Sequence, residues 1–202
     1  MKTVLLVILF SILCFSLLSQ EKQKFQTFKN HNQAIEFRGM GGPMIDFSGT
    51  VDGFSILIGG GGAMTINNNL FLGGFGYSAI GGFNPDGLTE EEGYNDYFEY
   101  GGIWIGYVFK PNEVFHPAFD LKAGWGNSAI ENVNEGTTSN FTAYVIKPSL
   151  EIEMNVTRYM KIGLDIHYRH VSEIDMSTTG TPSIYNFSGT GIGLSFKFGW
   201  FE

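Results

Sequence analysis

Residues 191–200 read GIGLSFKFGW, and their alternation is strict. Ile192, Leu194, Phe196, Phe198 and Trp200 fall on one face, and Gly191, Gly193, Ser195, Lys197 and Gly199 on the other. A period of two is the signature of a β-strand, whose successive side chains point to opposite faces. Upstream, Met160, Ile162, Leu164, Ile166 and Tyr168 alternate with Lys161, Gly163, Asp165, His167 and Arg169. Tyr144, Ile146, Leu150, Ile152 and Met154 oppose Lys147, Ser149, Glu151, Glu153 and Asn155 in the same way. Extending outward predicts eight strands, at 34–46, 54–66, 70–80, 98–109, 115–126, 141–156, 160–171 and 189–201. Each has about ten residues or more. That exceeds the ~5–6 of a common soluble strand and matches the ~9–11 of a tilted strand crossing a bilayer.

The links sharpen the expectation. Those at 67–69, 110–114 and 157–159 are short, those at 81–97, 127–140 and 172–188 are long, and 47–53 is intermediate. Short periplasmic turns alternating with longer external loops mark a transmembrane barrel, and an even strand count puts both termini in the periplasm. The expected fold is all-β: a closed eight-stranded antiparallel up-and-down transmembrane β-barrel. A soluble barrel would alternate equally well with its faces exchanged. Three features favour the membrane. First, residues 1–20 (MKTVLLVILFSILCFSLLSQ) have the charged start and apolar run of a secretory signal peptide. Second, aromatics gather at strand ends. Phe71, Tyr107, Phe109, Phe115, Tyr159, Trp200 and Phe201 lie near the turns; Phe54, Tyr77, Tyr97, Tyr100, Trp125, Tyr144 and Tyr168 lie near the loops. Such belts sit at headgroup level. Third, the polar faces are rich in Gly and Ser, which suits a narrow interior. The expected organisation is a signal peptide at 1–19, a polar periplasmic lead at 20–33 and the barrel at 34–202.

Composition agrees. The chain has 28 Gly and 15% aromatics, too much of each for a helical bundle or a disordered tract. Its net charge of -8 gives nucleic acid no basic footprint. Its one Cys, Cys14, lies in the signal segment, so no disulfide framework exists. No cofactor is implied; the Gly59–Gly62 run lacks the Lys-Ser/Thr of a phosphate loop.

The inward faces are expected to carry Glu36, Arg38, Asp46, Asp120, Lys122, Lys147, Glu151, Glu153, Lys161, Asp165, Arg169 and Lys197. Acids and bases are equal in number. An eight-stranded interior is just wide enough for side chains to fill, so these predict a paired, closed lumen rather than a diffusion channel. Pro43 and Pro148 fall inside strands and predict local bulges. The loops hold Asp52, Asp86, Glu90, Glu91, Glu92, Asp96, Glu131, Glu135, Glu173 and Asp175 without a Lys or Arg, a charge of -10. Asp86, Glu90, Glu91, Glu92 and Asp96 offer a loose Ca²⁺ or Mg²⁺ contact bridging to lipopolysaccharide. The plainer reading is a hydrated loop kept soluble by repulsion.

Residues 168–172 (YRHVS) resemble the His-x-Ser signature of outer-membrane lipid A deacylases. That resemblance implies His170 as base and Ser172 as nucleophile in ester hydrolysis at the outer leaflet. The family's orienting Glu, further along the chain, has no counterpart between Glu173 and Glu202. The plainer reading of His170 is an amphipathic interfacial side chain.

The mature chain as a whole resembles the small outer-membrane barrels of the OmpA/OmpX-like type, in particular Bacteroidota members. The resemblance is carried by residues 53–76 (GFSILIGGGGAMTINNNLFLGGFG), 151–168 (EIEMNVTRYMKIGLDIHY) and 191–201. The last is similar to a β-signal read by the barrel assembly machinery, through Gly193, Phe196, Phe198 and Phe201, with Glu202 following the expected terminal aromatic. The resemblance implies fold, compartment and assembly route, and little about activity; the leading expectation is a monomer in contact with outer-membrane lipids and lipopolysaccharide, with a structural or surface-interaction role and no catalysis. The alternatives are the ester hydrolase and a small channel or receptor.

Overall fold

The computed structural model describes residues 35–50, 53–83, 94–132, 137–173 and 187–201. The expected signal peptide and lead lie outside the described residues. So do Asp52, Asp86, Glu90, Glu91, Glu92, Glu135 and Asp175. Eight strands run in order: β1 (Phe37–Thr50), β2 (Gly53–Ile66), β3 (Leu70–Phe83), β4 (Tyr94–Val108), β5 (Phe115–Asn132), β6 (Thr137–Thr157), β7 (Met160–Glu173) and β8 (Gly189–Gly199). Each pairs antiparallel with its chain neighbour, and β1 pairs with β8 to close the barrel.

Strand length departs from the expectation at the external end. β4 begins at Tyr94, β5 ends at Asn132 and β6 begins at Thr137, so Asp96 and Glu131 stand on strands. Glu173 closes β7, and β1 runs through Thr50, so the first external link is as short as the turns. Cross-strand hydrogen bonding propagates wherever a partner continues, so strand length is not capped by bilayer thickness. Pairing of β4 with β5 and of β5 with β6 extends to Tyr94↔Asn132 and Asn132↔Thr137. The flanking β3–β4 ladder stops at Ser78↔Glu99, and β6–β7 at Ala143↔Glu173. A three-stranded wall therefore rises on one side of the external rim.

The prolines do not produce bulges. The β1–β8 ladder is broken between Gly41↔Phe198 and Met44↔Ser195, and β6–β7 between Ile146↔His170 and Ser149↔His167. Register is the same on both sides of each gap. A proline only removes a donor, and the intact ladders on the other flank of the strand hold the register. The irregularities occur instead at Ile56/Leu57 and Asn155/Thr157.

The Asn67-Asn68-Asn69 turn is built by its side chains. Asn67 and Asn68 hold positive φ, 52° and 59°, and the Asn69 N–H bonds the Ile66 carbonyl. Asparagine tolerates this region better than other non-glycine residues. Asn67 Oδ1 accepts the Glu36 N–H, Asn68 Nδ2 donates to the Phe201 carbonyl, and Asn69 Nδ2 to the Val108 carbonyl. One turn thus ties together the lead into β1, the end of β8 and the end of β4.

The outer face is apolar: Leu72, Ile103, Ile105, Leu150, Ile152, Leu164, Ile166 and Ile192 are all exposed. Phe54, Tyr107, Phe109, Phe115, Trp125, Tyr144, Tyr159, Tyr168 and Trp200 are exposed too. Four of the described residues expected in the aromatic belts are not there, among them Phe201, which is half-buried against the core and beneath Lys161. Phe71, Tyr77 and Tyr100 are buried in the lumen with Leu57, Phe75, Phe98 and Trp104. The Gly-rich run explains how they fit. A Cβ on Gly59 would meet the Tyr77 ring at 2.6 Å, and one on Gly61 would meet Met44 Cε at 2.6 Å and Trp104 at 3.3 Å. The lumen is thus divided, with aromatics chiefly on β2–β4 and charges chiefly on β5–β8.

Candidate functional site

The charged half of the lumen forms linked clusters. Nearer the turns, Lys197 Nζ donates to Glu151 Oε2 at 2.5 Å and Glu153 Oε1 at 2.6 Å. Glu153 Oε2 meets His116 Nε2 at 2.9 Å and Lys161 Nζ at 3.3 Å. Ser195 Oγ donates to Glu151 Oε1 at 2.5 Å. At mid-height Lys122 pairs with Asp120 at 2.7 Å, and Ser149 donates to the same Asp120 oxygen. Nearer the loops Lys147 pairs with Asp46, and His167 Nδ1 contacts Asp165 Oδ1 at 2.7 Å. All these charged side chains are buried. Two lysines also lie over Trp104, Lys122 at 4.9 Å and Lys197 at 5.4 Å from a ring centroid. Glycines make the space: a Cβ on Gly193 or Gly163 would collide with the carboxylate of Asp165 or Glu151.

Ten of the twelve residues assigned inward from the sequence are buried in the lumen. Arg38, the second residue of β1, is only half-buried, and Glu36 is not buried: it precedes β1, its side chain is 60% exposed, and it meets Arg38 at 2.6 Å at the barrel's edge. The chain there has already left the sheet, so alternation no longer sets its direction.

Ser48 falls in the expected 47–53 link, and alternation gives no signal for it. It ends up buried, with Oγ 3.1 Å from His167 Nε2, while His167 Nδ1 faces Asp165. This has the connectivity of a Ser–His–Asp relay. It has no room for a substrate: a Cβ on Gly191 would already lie 2.6 Å from both His167 Nε2 and Ser48 Oγ. Asp46, Asp165 and His167 also place potential ligand atoms within 4.8 Å of one another, with the Lys147 ammonium paired to Asp46. The i, i+2 spacing sets Asp165 beside His167 on one face of β7, but only barrel closure brings Asp46 and Ser48 of β1 to them.

His170 and Ser172 lie on the outward face at the external end of β7, opposite Ile146 and Tyr144 of β6. Both are exposed. Among the described residues no hydrogen bond joins them, and no carboxylate contacts His170. On the outer wall a depression of about 990 Å³ is lined by Phe47, Phe54, Phe119, Leu150, Ile166 and Ile192, beside Pro148. It lacks the convergent polar groups of a specific small-molecule site. Of the assembly-signal residues, Phe196 and Phe198 face outward, Gly193 faces the lumen, and Phe201 packs 4.6 Å from Lys161 Nζ.

No family model matches the chain, and no curated protein matches its sequence. Solved structures do match its fold. Neisserial surface protein A superposes with a TM-score of 0.55 at 11% identity, covering 84% of this chain and 100% of that one. Ail, the attachment invasion locus protein of Yersinia pestis, crystallised with the heparin analogue sucrose octasulfate, superposes with a TM-score of 0.50 at 16% identity. That match covers 83% of this chain and 99% of that one.

Proposed function

We propose that the chain is an integral outer-membrane barrel with a filled lumen, acting as a structural or surface-interaction protein through its acidic external end. The observation that carries this is the inverted polarity: charged side chains are sealed inside while Leu, Ile and aromatic side chains cover the outside. A wall of that kind is stable in lipid and aggregates in water. Its partners would be outer-membrane lipids, lipopolysaccharide and, during insertion, the barrel assembly machinery, with divalent cations bridging at Asp86 to Asp96. The polyanion bound by Ail is a poor guide, since the external end here, loops and strand tips together, carries -10. Expression of the full chain in a diderm host, followed by fractionation and surface labelling at an inserted loop tag, tests the reading. Membrane recovery, heat-modifiable gel mobility and a labelled tag are expected; recovery in the soluble periplasmic fraction overturns it.

One observation keeps ester hydrolysis as a second reading. His170 and Ser172 share the outward rim where a lipid ester would sit. Against it stands the missing orienting acid, which such pairs need for most of their rate. Mass spectrometry of lipid A from cells carrying the wild type or Ser172→Ala decides: acylation that differs favours hydrolysis, and identical acylation removes it.

A further inference from the structure

Among the described residues, every lumen carboxylate is engaged. Asp46 holds Lys147, Asp120 holds Lys122, Glu151 holds Lys197, Glu153 holds Lys161 and Lys197, and Asp165 holds His167. Arg169 has no carboxylate partner among the described residues, although its side chain is fully buried. It reaches across the lumen from β7. Nε donates to the Phe187 carbonyl at 2.9 Å and Nη2 to Ser55 Oγ on β2 at 2.8 Å. Nη1 has no hydrogen-bond partner among the described residues. The guanidinium lies 6.0 Å from the Phe98 ring, which stacks on Phe187 at 4.4 Å and 9°. Phe98 also packs 5.3 Å from Tyr100, whose buried hydroxyl neighbours the Arg169 guanidinium and has no other partner among the described residues. Buried polar atoms are nearly always satisfied, and a buried cation left with neutral acceptors is strongly disfavoured.

We propose that Arg169 is the seat of an oxyanion site at the external mouth of the lumen, taking the phosphate or carboxylate group of a small ligand. The planar guanidinium suits such groups, because its N–H fork matches two oxygens at once. Phe98 and Phe187 shield the site from water, which strengthens the contact. The acidic loops oppose an approaching anion, but at physiological salt their field is screened beyond about 8 Å, leaving the nearby guanidinium in control.

The test is titration of the mature barrel, folded in detergent micelles, with sodium phosphate and with sodium acetate at constant ionic strength set by sodium chloride. One saturable site is expected in the wild type for at least one of the two anions. It should be lost in Arg169→Gln and weakened several-fold in Tyr100→Phe. Preference between the anions identifies the ligand group. No saturable binding of either in the wild type overturns the proposal, since water or a carboxylate of the chain then satisfies Nη1. Unchanged binding in Arg169→Gln overturns it as well. Should that variant not fold, Arg169→Lys keeps the charge and loses the fork; affinity should fall at least tenfold, and unchanged affinity counts against the site.

Discussion

Lys197 is the residue on which the turn-side half of the lumen depends. It is the cation that Glu151 and Glu153 share. Lys197→Met leaves two buried carboxylates short of charge, and removing one partner of a buried pair costs roughly 3–5 kcal/mol. A lower urea midpoint with an unchanged slope in micelles is the expected outcome. Gly193→Ala tests space rather than charge. The added methyl must displace the Asp165 carboxylate, and overpacking of this kind costs about 1–3 kcal/mol. Gly39, where a Cβ would meet nothing within 4 Å, is the control; Gly39→Ala should leave stability nearly unchanged. At this scale the sequence was half legible. Alternation assigned Lys147, Glu151, Asp165, Arg169 and Lys197 to the inner face. It could not say which acid meets which base, since Asp46 and Lys147 are 101 residues apart.

At the scale of elements, β6 to β8 were readable because their two faces differ in chemistry, charged against aliphatic. β2 to β4 were not. There both faces hold glycine, and the lumen side is aromatic, so apolar residues occur on both sides and the pattern loses contrast. That is why Phe71, Tyr77 and Tyr100 were read into belts. Strand ends were misjudged for another reason: the β4–β5–β6 wall is set by mutual pairing, not by hydrophobicity. The proline gap in β6 supports a prediction at this scale. Amides flanking Pro148, on Ser149 and Tyr168, should exchange with deuterium faster than those of Leu150 to Met154, as read by hydrogen exchange in micelles. Pro148→Val restores a donor and should slow them; equal rates in both proteins would mean that the gap does not weaken the ladder.

For the whole molecule, closure and filling were both legible from strand count and charge balance, because eight strands leave no spare volume. Paired charges and packed aromatics crowd the lumen among the described residues, so planar bilayers containing the barrel should show no steady conductance at physiological salt. A stable open level would contradict the filled lumen. The broken ladder between β1 and β8 has a consequence in time. These strands are the first and last of the chain, so their contacts carry the largest loop-closure cost and are expected late in folding. The seam they form also lacks pairing at Gly42 and Pro43. The last zip to fasten is therefore interrupted, and a barrel pulled apart should unzip there first.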